Sequence, residues 1–369
     1  MSTPAFSRAP LPGLERPVRV LVVDDSALVR EIFSRGLARD PEIAVVGAAR
    51  DAFEAGDLIP RLTPDVLTLD IEMPRMNGIE FLRRLMPQYP LPVIMVSALT
   101  NQGGRMTLDA LALGAVDFVT KPQGDLPGGL ETLLAELAAK IKAAAMANLP
   151  SALRKGRTSI VSRSPLETMA GGIAGAPSRR LVALCASTGG SEAVRAVLRR
   201  FPVDMPGVVI VQHMPPGFTR IFAERLDSQC RIEVREAVDG DQVRDGHALV
   251  APGGLQMRVF RDPSDGGWRV RVRREETPGG GHQPSADALF DSVASEVGDK
   301  AVGVVLTGMG SDGARALRRM RDAGARCFAQ DQESSVVFGM PSEAFRQGGA
   351  ERLVPLHEIG RVVMEALKR

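Results

Sequence analysis

Twice along this chain, short apolar runs alternate with stretches of helical periodicity, and that rhythm restricts most of the sequence to parallel α/β folds. The first series runs Val18 to Val23, Ile43 to Ala48, Val66 to Leu69, Val93 to Val96 and Val116 to Val119. Each run is too short for a core helix and too uniformly apolar for a half-exposed strand, so each predicts a strand buried on both faces. A helical stretch from Leu130 to Met146 closes the series, with Leu130, Leu133, Leu134, Leu137 and Ile141 on one face. The second series runs Leu181 to Cys185, Val208 to Val211, His247 to Val250, Val302 to Leu306 and Cys327 to Ala329. Within it, Leu255, Met257 and Val259, then Trp268, Val270 and Val272, alternate with polar residues around Asp265-Gly266-Gly267, which predicts a hairpin extending one edge of the sheet.

Between the two series, Ala, Gly, Ser and Pro dominate, with Arg154, Lys155, Arg157 and Arg163 opposed mainly by Glu167. Such a composition reads as a linker. The expected organisation is an N-terminal extension over 1–17, a first α/β domain over 18–142, a linker over 143–178 and a second, doubly wound and mainly parallel α/β domain over 179–369. A length of 369 residues suits about two domains. The net charge of +2 leaves no concentrated basic face to make nucleic acid the default partner. Cys185, Cys230 and Cys327 lack disulfide or zinc spacing, and no apolar run approaches the roughly 18 residues of a membrane span. A cytoplasmic protein without membrane insertion is expected.

In the first domain Asp24 and Asp25 follow the first run, Asp70 ends the third, Ser97 ends the fourth and Lys121 follows the fifth. The carboxyl ends of parallel strands share one edge, so these side chains should converge. Three close carboxylates repel unless a hard cation lies among them, and Mg²⁺ with oxygen ligands suits the set. Phosphoryl transfer needs positioning and charge neutralisation, so Asp70 is expected to accept a phosphoryl group, with Ser97 and Lys121 holding its oxygens.

In the second domain Ser187 ends an apolar strand and enters the turn Thr188-Gly189-Gly190, where small residues expose a hydroxyl near a helix start. His213 follows the strand that ends at Gln212, and Asp312 lies in the loop Thr307-Gly308-Met309-Gly310-Ser311-Asp312-Gly313. A serine, an imidazole and a carboxylate at neighbouring strand ends permit acyl transfer. From the residues alone, a phosphate-binding turn remains a rival for Ser187, His282 competes with His213 as base, and Asp287 and Asp331 compete with Asp312. The order Ser, His, Asp disfavours the α/β-hydrolase fold.

Two sets of motifs carry a resemblance. The run Val20 to Arg30, Asp70-Ile71-Glu72-Met73-Pro74-Arg75-Met76-Asn77-Gly78 and Phe118-Val119-Thr120-Lys121-Pro122 resemble a response-regulator receiver of flavodoxin-like fold. Ala186-Ser187-Thr188-Gly189-Gly190, Gln212-His213-Met214-Pro215-Pro216-Gly217-Phe218-Thr219, Leu306 to Gly313 and Val336-Val337-Phe338-Gly339-Met340-Pro341 resemble the chemotaxis protein-glutamate methylesterases. The resemblance implies phosphorylation of Asp70, Mg²⁺ at Asp24, Asp25 and Asp70, switch roles for Ser97, Phe118 and Lys121, and a cis Lys121-Pro122 bond. It implies a triad of Ser187, His213 and Asp312 that needs no cofactor, with the backbone of Met309, and less firmly Thr188, as oxyanion donors. Implied partners are methyl-accepting chemoreceptors as substrate and the chemotaxis histidine kinase as phosphodonor. The implied activities are methyl-ester hydrolysis and glutamine deamidation, with the unphosphorylated receiver covering the catalytic face. Two departures stand out, Cys185 where the family usually has glycine and Gly281 where asparagine is common before His282.

Overall fold

The computed structural model describes residues 16–98, 100–121, 129–148, 175–275 and 281–368. The expected extension over 1–17 and most of the linker over 143–178 fall outside these residues, as does Pro122 and hence the Lys121-Pro122 bond.

The first domain builds one five-stranded parallel sheet from β1 (Val18–Val23), β2 (Ile43–Ala49), β3 (Val66–Asp70), β4 (Val93–Ala98) and β5 (Asp117–Lys121), in the order β2-β1-β3-β4-β5. The apolar runs form strands because both faces are covered by helices, and β1, β3 and β4 are almost wholly enclosed. The closing helix spans Gly129–Ala145 and buries Leu133, Leu137 and Ile141, while Leu130 at its start stays exposed. Side chains at helix N-cap positions do the local work of starting helices. Ser26, Asp51, Asn77 and Thr100 each accept a backbone N–H in the first turn of the helix that follows.

The second domain is a seven-stranded parallel sheet of β6 (Leu181–Ala186), β7 (Gly207–Gln212), β8 (Glu233–Glu236), β9 (His247–Val250), β12 (Ala301–Val305), β13 (Arg326–Gln330) and β14 (Arg352–Val354). Its order is β14-β13-β12-β6-β7-β9-β8, so the chain moves outward from β6 in one direction and later returns to β6 from the other. The reversal falls between β6 and β12. In open α/β sheets a crevice opens at the carboxyl edge of such a reversal, and ligands bind there.

The hairpin forms from β10 (Gln256–Arg261) and β11 (Trp268–Arg273), but as a two-stranded antiparallel sheet of its own rather than an extension of the large sheet. The reason is visible in its alternation. Met257, Val259, Trp268, Val270 and Val272 point to one side and are buried together with Leu289 and Val293 of the helix Ala286–Glu296. The apolar face is thus covered by a helix, and no edge pairing is needed to remove it from water.

The two domains are packed together. The helices Asn101–Ala112 and Phe218–Asp227 face each other so closely that a Cβ on Gly104 would lie 2.5 Å from Ile221 Cδ1. Asp109 and Arg225 form an ion pair of 2.6 Å across this contact, and the rings of Phe118 and Phe218 stack with centroids 4.6 Å apart.

Candidate active site and phosphoacceptor pocket

Three loops meet at the reversal between β6 and β12: 187–189 after β6, 213–217 after β7 and 306–313 after β12. Thr307 knits them. Its carbonyl accepts from Ser187 N at 3.0 Å, its Oγ1 lies 3.0 Å from the Thr188 carbonyl it can donate to, and Val337 N donates to that same Oγ1 at 2.9 Å. Thr307 is only 1% exposed, so each of these bonds replaces water that cannot reach it. Gly308 is obligatory for this close approach, because a Cβ there would stand 2.7 Å from Ser187 Cβ. Gly189, at φ +75°, supplies the left-handed turn that carries the chain from Ser187 into the helix Gly190–Leu198.

His213 is held against Asp312 by a bond of 2.8 Å between Nε2 and Oδ2, and its side chain is 8% exposed. Its other nitrogen, Nδ1, is buried and has no hydrogen-bond partner among the described residues. A buried ring nitrogen without a partner carries a desolvation cost, and it is the ring nitrogen left open to exchange a proton. Asp312 accepts three further bonds: from Ala286 N at 2.7 Å on Oδ2, and from Ser285 Oγ at 2.9 Å and Asp287 N at 3.0 Å on Oδ1. Burial by itself would raise the Asp312 pKa, but the His213 bond and the two backbone amides outweigh it and hold the carboxyl well below the ordinary range. Ser285 is also the N-cap of the helix Ala286–Glu296, so the start of that helix is the anchor of the carboxylate. Neither Ser285 nor this helix start was anticipated from sequence, although Pro284-Ser285 before an apolar-periodic run carries a helix-start signal.

His282, the competing histidine, lies against His213 with ring centroids 4.0 Å apart and an interplanar angle of 14°. Desolvation and then the neighbouring His213 push its pKa down to about 4. Asp287 bonds Ala316 N and Asp331 bonds Ser334 N, so the two rival acids serve as local turn and helix acceptors. Cys185 is fully enclosed beside Gly313, and burial first, then the charge of Asp312, drives its thiol pKa far up, as suits an inert core thiol. Met309 is 38% exposed at the rim, and Gly339 packs flat against the backbone of Gly308 to Gly310.

In the first domain Asp24, Asp25 and Asp70 bring carboxylate oxygens within 4.8 Å of one another at the β1/β3 reversal. Lys121 Nζ stands 2.9 Å from both Asp24 Oδ2 and Asp70 Oδ2. Asp24 Oδ2 is buried and accepts no well-angled hydrogen bond, so that ion pair is its compensation. Desolvation raises the Asp70 carboxyl to about 6 against the opposing pull of Lys121. A buried oxygen short of a donor, Asp24 Oδ2, together with the buried Asp70 and the exposed Asp25 carboxylates, makes an all-oxygen donor set that suits a hard divalent ion. Ser97 is fully buried with Oγ 2.9 Å from Thr107 Oγ1, and Phe118 is buried against Phe218.

Two outcomes are expected. Thr307→Val leaves the Thr188 carbonyl and the Val337 amide without their buried partner and should cost about 1 to 3 kcal/mol, read by urea unfolding, with a matching fall in turnover; an unchanged midpoint would contradict the knitting role. The lowered pKa of Asp312 contributes stability that is present above its unfolded value of about 3.9 and is lost as pH falls below it. Asp312→Asn should therefore lose less stability than the parent between about pH 4 and pH 2.5, and identical slopes in acid titration would show that Asp312 carries none of it.

The CheB methylesterase family model matches residues 182–363, and the response regulator receiver domain model matches residues 20–127. The chain is 53% identical over 354 residues to a protein-glutamate methylesterase/protein-glutamine glutaminase of Syntrophotalea carbinolica, covering 96% of this chain and 99% of that one. It is 49% identical over the same length, with the same coverage, to the corresponding protein 2 of Syntrophomonas wolfei. Among solved structures, the Thermotoga maritima CheB methylesterase catalytic domain is 33% identical, covering 50% of this chain and 97% of that chain with a TM-score of 0.48. A likeness above half identity that runs almost end to end through both a receiver and a methylesterase region leaves one conclusion: the chain belongs to the CheB family of protein-glutamate methylesterases/protein-glutamine glutaminases.

Proposed function

We propose that the chain hydrolyses glutamate methyl esters on chemoreceptors, releasing methanol, that it deamidates receptor glutamines at the same site, and that phosphorylation of Asp70 by a chemotaxis histidine kinase switches the activity on. The observation that carries the reading is the His213–Asp312 pair at the sheet reversal, with His213 Nδ1 buried and unpartnered among the described residues, at the end of the strand next to the one that leads into Ser187.

In this reading Ser187 Oγ attacks the ester carbonyl as its proton passes to Nδ1 of His213. The imidazolium that forms is stabilised through Nε2 by Asp312, which stays anionic because the helix start and the ring hold it so. The new negative charge on the carbonyl oxygen falls to backbone N–H groups of the 307–310 loop, with Met309 the first candidate and Thr188 the second. Collapse of the tetrahedral species breaks the bond to methoxide, which takes the proton from His213 and leaves as methanol. Water then attacks the acyl-serine with His213 as base, giving the receptor carboxylate and free Ser187. A glutamine substrate follows the same path with ammonia as leaving group.

At the other site Asp24, Asp25 and Asp70 would hold Mg²⁺, which neutralises charge during phosphoryl transfer. The chain's own contribution is the placement of Asp70 as acceptor, of Lys121 as a cation beside it, and of Ser97 at the end of β4. Lys121 pairs with two of the three carboxylates, so one positive charge offsets only part of the negative charge gathered there.

Methanol release from methylated receptor should vanish in Ser187→Ala, a loss of at least about 10³-fold. Asp70→Asn should keep basal release and lose stimulation by a phosphodonor. Full activity in Ser187→Ala would sink the esterase reading, and phosphodonor stimulation surviving in Asp70→Asn would sink the switch.

A further inference from the structure

We propose that Asp117 is a latch: in the unphosphorylated chain its carboxylate holds the Thr188 hydroxyl, fixing the residue next to the nucleophile against the receiver, and phosphorylation releases it. The inference rests on the esterase reading and concerns the regulation of that site.

The contact crosses the domain boundary. Thr188 Oγ1 donates to Asp117 Oδ2, and Thr188 is 4% exposed. The two oxygens of Asp117 divide their work. Oδ1 faces the receiver, accepting from Phe118 N at 2.8 Å and pairing with Lys140 Nζ at 3.3 Å, while Oδ2 serves the catalytic domain. Lys140 is itself enclosed, donates to the Phe118 carbonyl and pairs with Glu136 at 2.8 Å. A hydroxyl bonded to a charged, poorly solvated acceptor makes a stronger bond than one between neutral partners.

The latch sits on the strand that reads the phosphoacceptor pocket. β5 begins at Asp117, continues through Phe118, stacked on Phe218, and ends at Lys121, bridging Asp24 and Asp70. Along its length β5 pairs with β4, placing Thr120 opposite Ser97 and Lys121 opposite Ala98. A phosphoryl group on Asp70 gives Lys121 and Ser97 new oxygens to partner. Any shift they impose on this five-residue strand reaches Phe118 and Asp117 together, because a paired strand moves as a unit. The receiver also brings the charge of Lys140 near the stacked imidazoles, where it opposes protonation of His282. Release of β5 therefore frees Thr188.

The test uses the full chain. Asp117→Ala should raise methanol release without phosphodonor by roughly tenfold, toward the stimulated rate, and leave the stimulated rate unchanged. Lys140 keeps Glu136 and the Phe118 carbonyl in this variant, so no cation is orphaned. Asp117→Asn, whose amide oxygen can still accept from Thr188, should give a smaller rise and decides the matter if the alanine variant does not fold. Asp109→Ala, which removes the exposed ion pair to Arg225, is the control for general loosening of the interface. An equal rise in Asp109→Ala would overturn the specific latch. An unstimulated rate in folded Asp117→Ala equal to that of the parent, with Ser187→Ala still silent and phosphodonor still effective, overturns the latch and leaves the esterase standing. No methanol release from the parent in any state overturns both.

Discussion

A carboxylate buried at the mouth of a parallel sheet stays charged only if its surroundings supply protons to share. Asp312 meets that condition through four donors, three of them from the start of the helix Ala286–Glu296 and the fourth from the ring of His213. The remainder of the site is arranged around this carboxylate. With Nε2 committed to Asp312, the ring of His213 has only Nδ1 left for chemistry, and the sheet reversal places the Ser187 turn on the adjoining strand. Thr307 then locks that turn to the loop bearing Asp312. Asp312, His213 and the Ser187 turn are positioned by hydrogen bonding and strand order, with side-chain packing in a supporting part.

The two halves of the molecule use the same architectural device at different scales. In each, a parallel sheet reverses its strand order and the candidate site residues lie at the carboxyl edge of the reversal. The receiver gathers like charges there and offsets part of them with Lys121; the catalytic domain gathers complementary groups. The interface joins the two devices through β5, whose ends touch Asp70 and Thr188.

Much of this was legible in the sequence. Ten strands follow from apolar runs bounded by turn residues, since burial on both faces leaves a signature that needs no partner to read. β8 and β14 escaped because Glu233-Val234-Arg235-Glu236 and Arg352-Leu353-Val354 are short, charged edge strands with one fully buried side chain each. The hairpin was readable but its place was not: alternation reveals an apolar face without saying whether a strand or a helix covers it. His213 and Asp312 were named from their loops, and the structure brings them into contact. The stacking of His282, the Ser285 anchor and the Asp117 contact lay beyond reach, because each joins positions far apart in the chain that no local pattern connects.

The account stands on Ser187 being made nucleophilic by the free nitrogen of His213. A serine-directed fluorophosphonate, followed by peptide mapping, tests this most directly. The adduct should fall on Ser187 in the parent chain and be lost from it in His213→Ala while the fold, read by circular dichroism, persists. An adduct on another residue, or undiminished labelling of Ser187 without the imidazole, would contradict it.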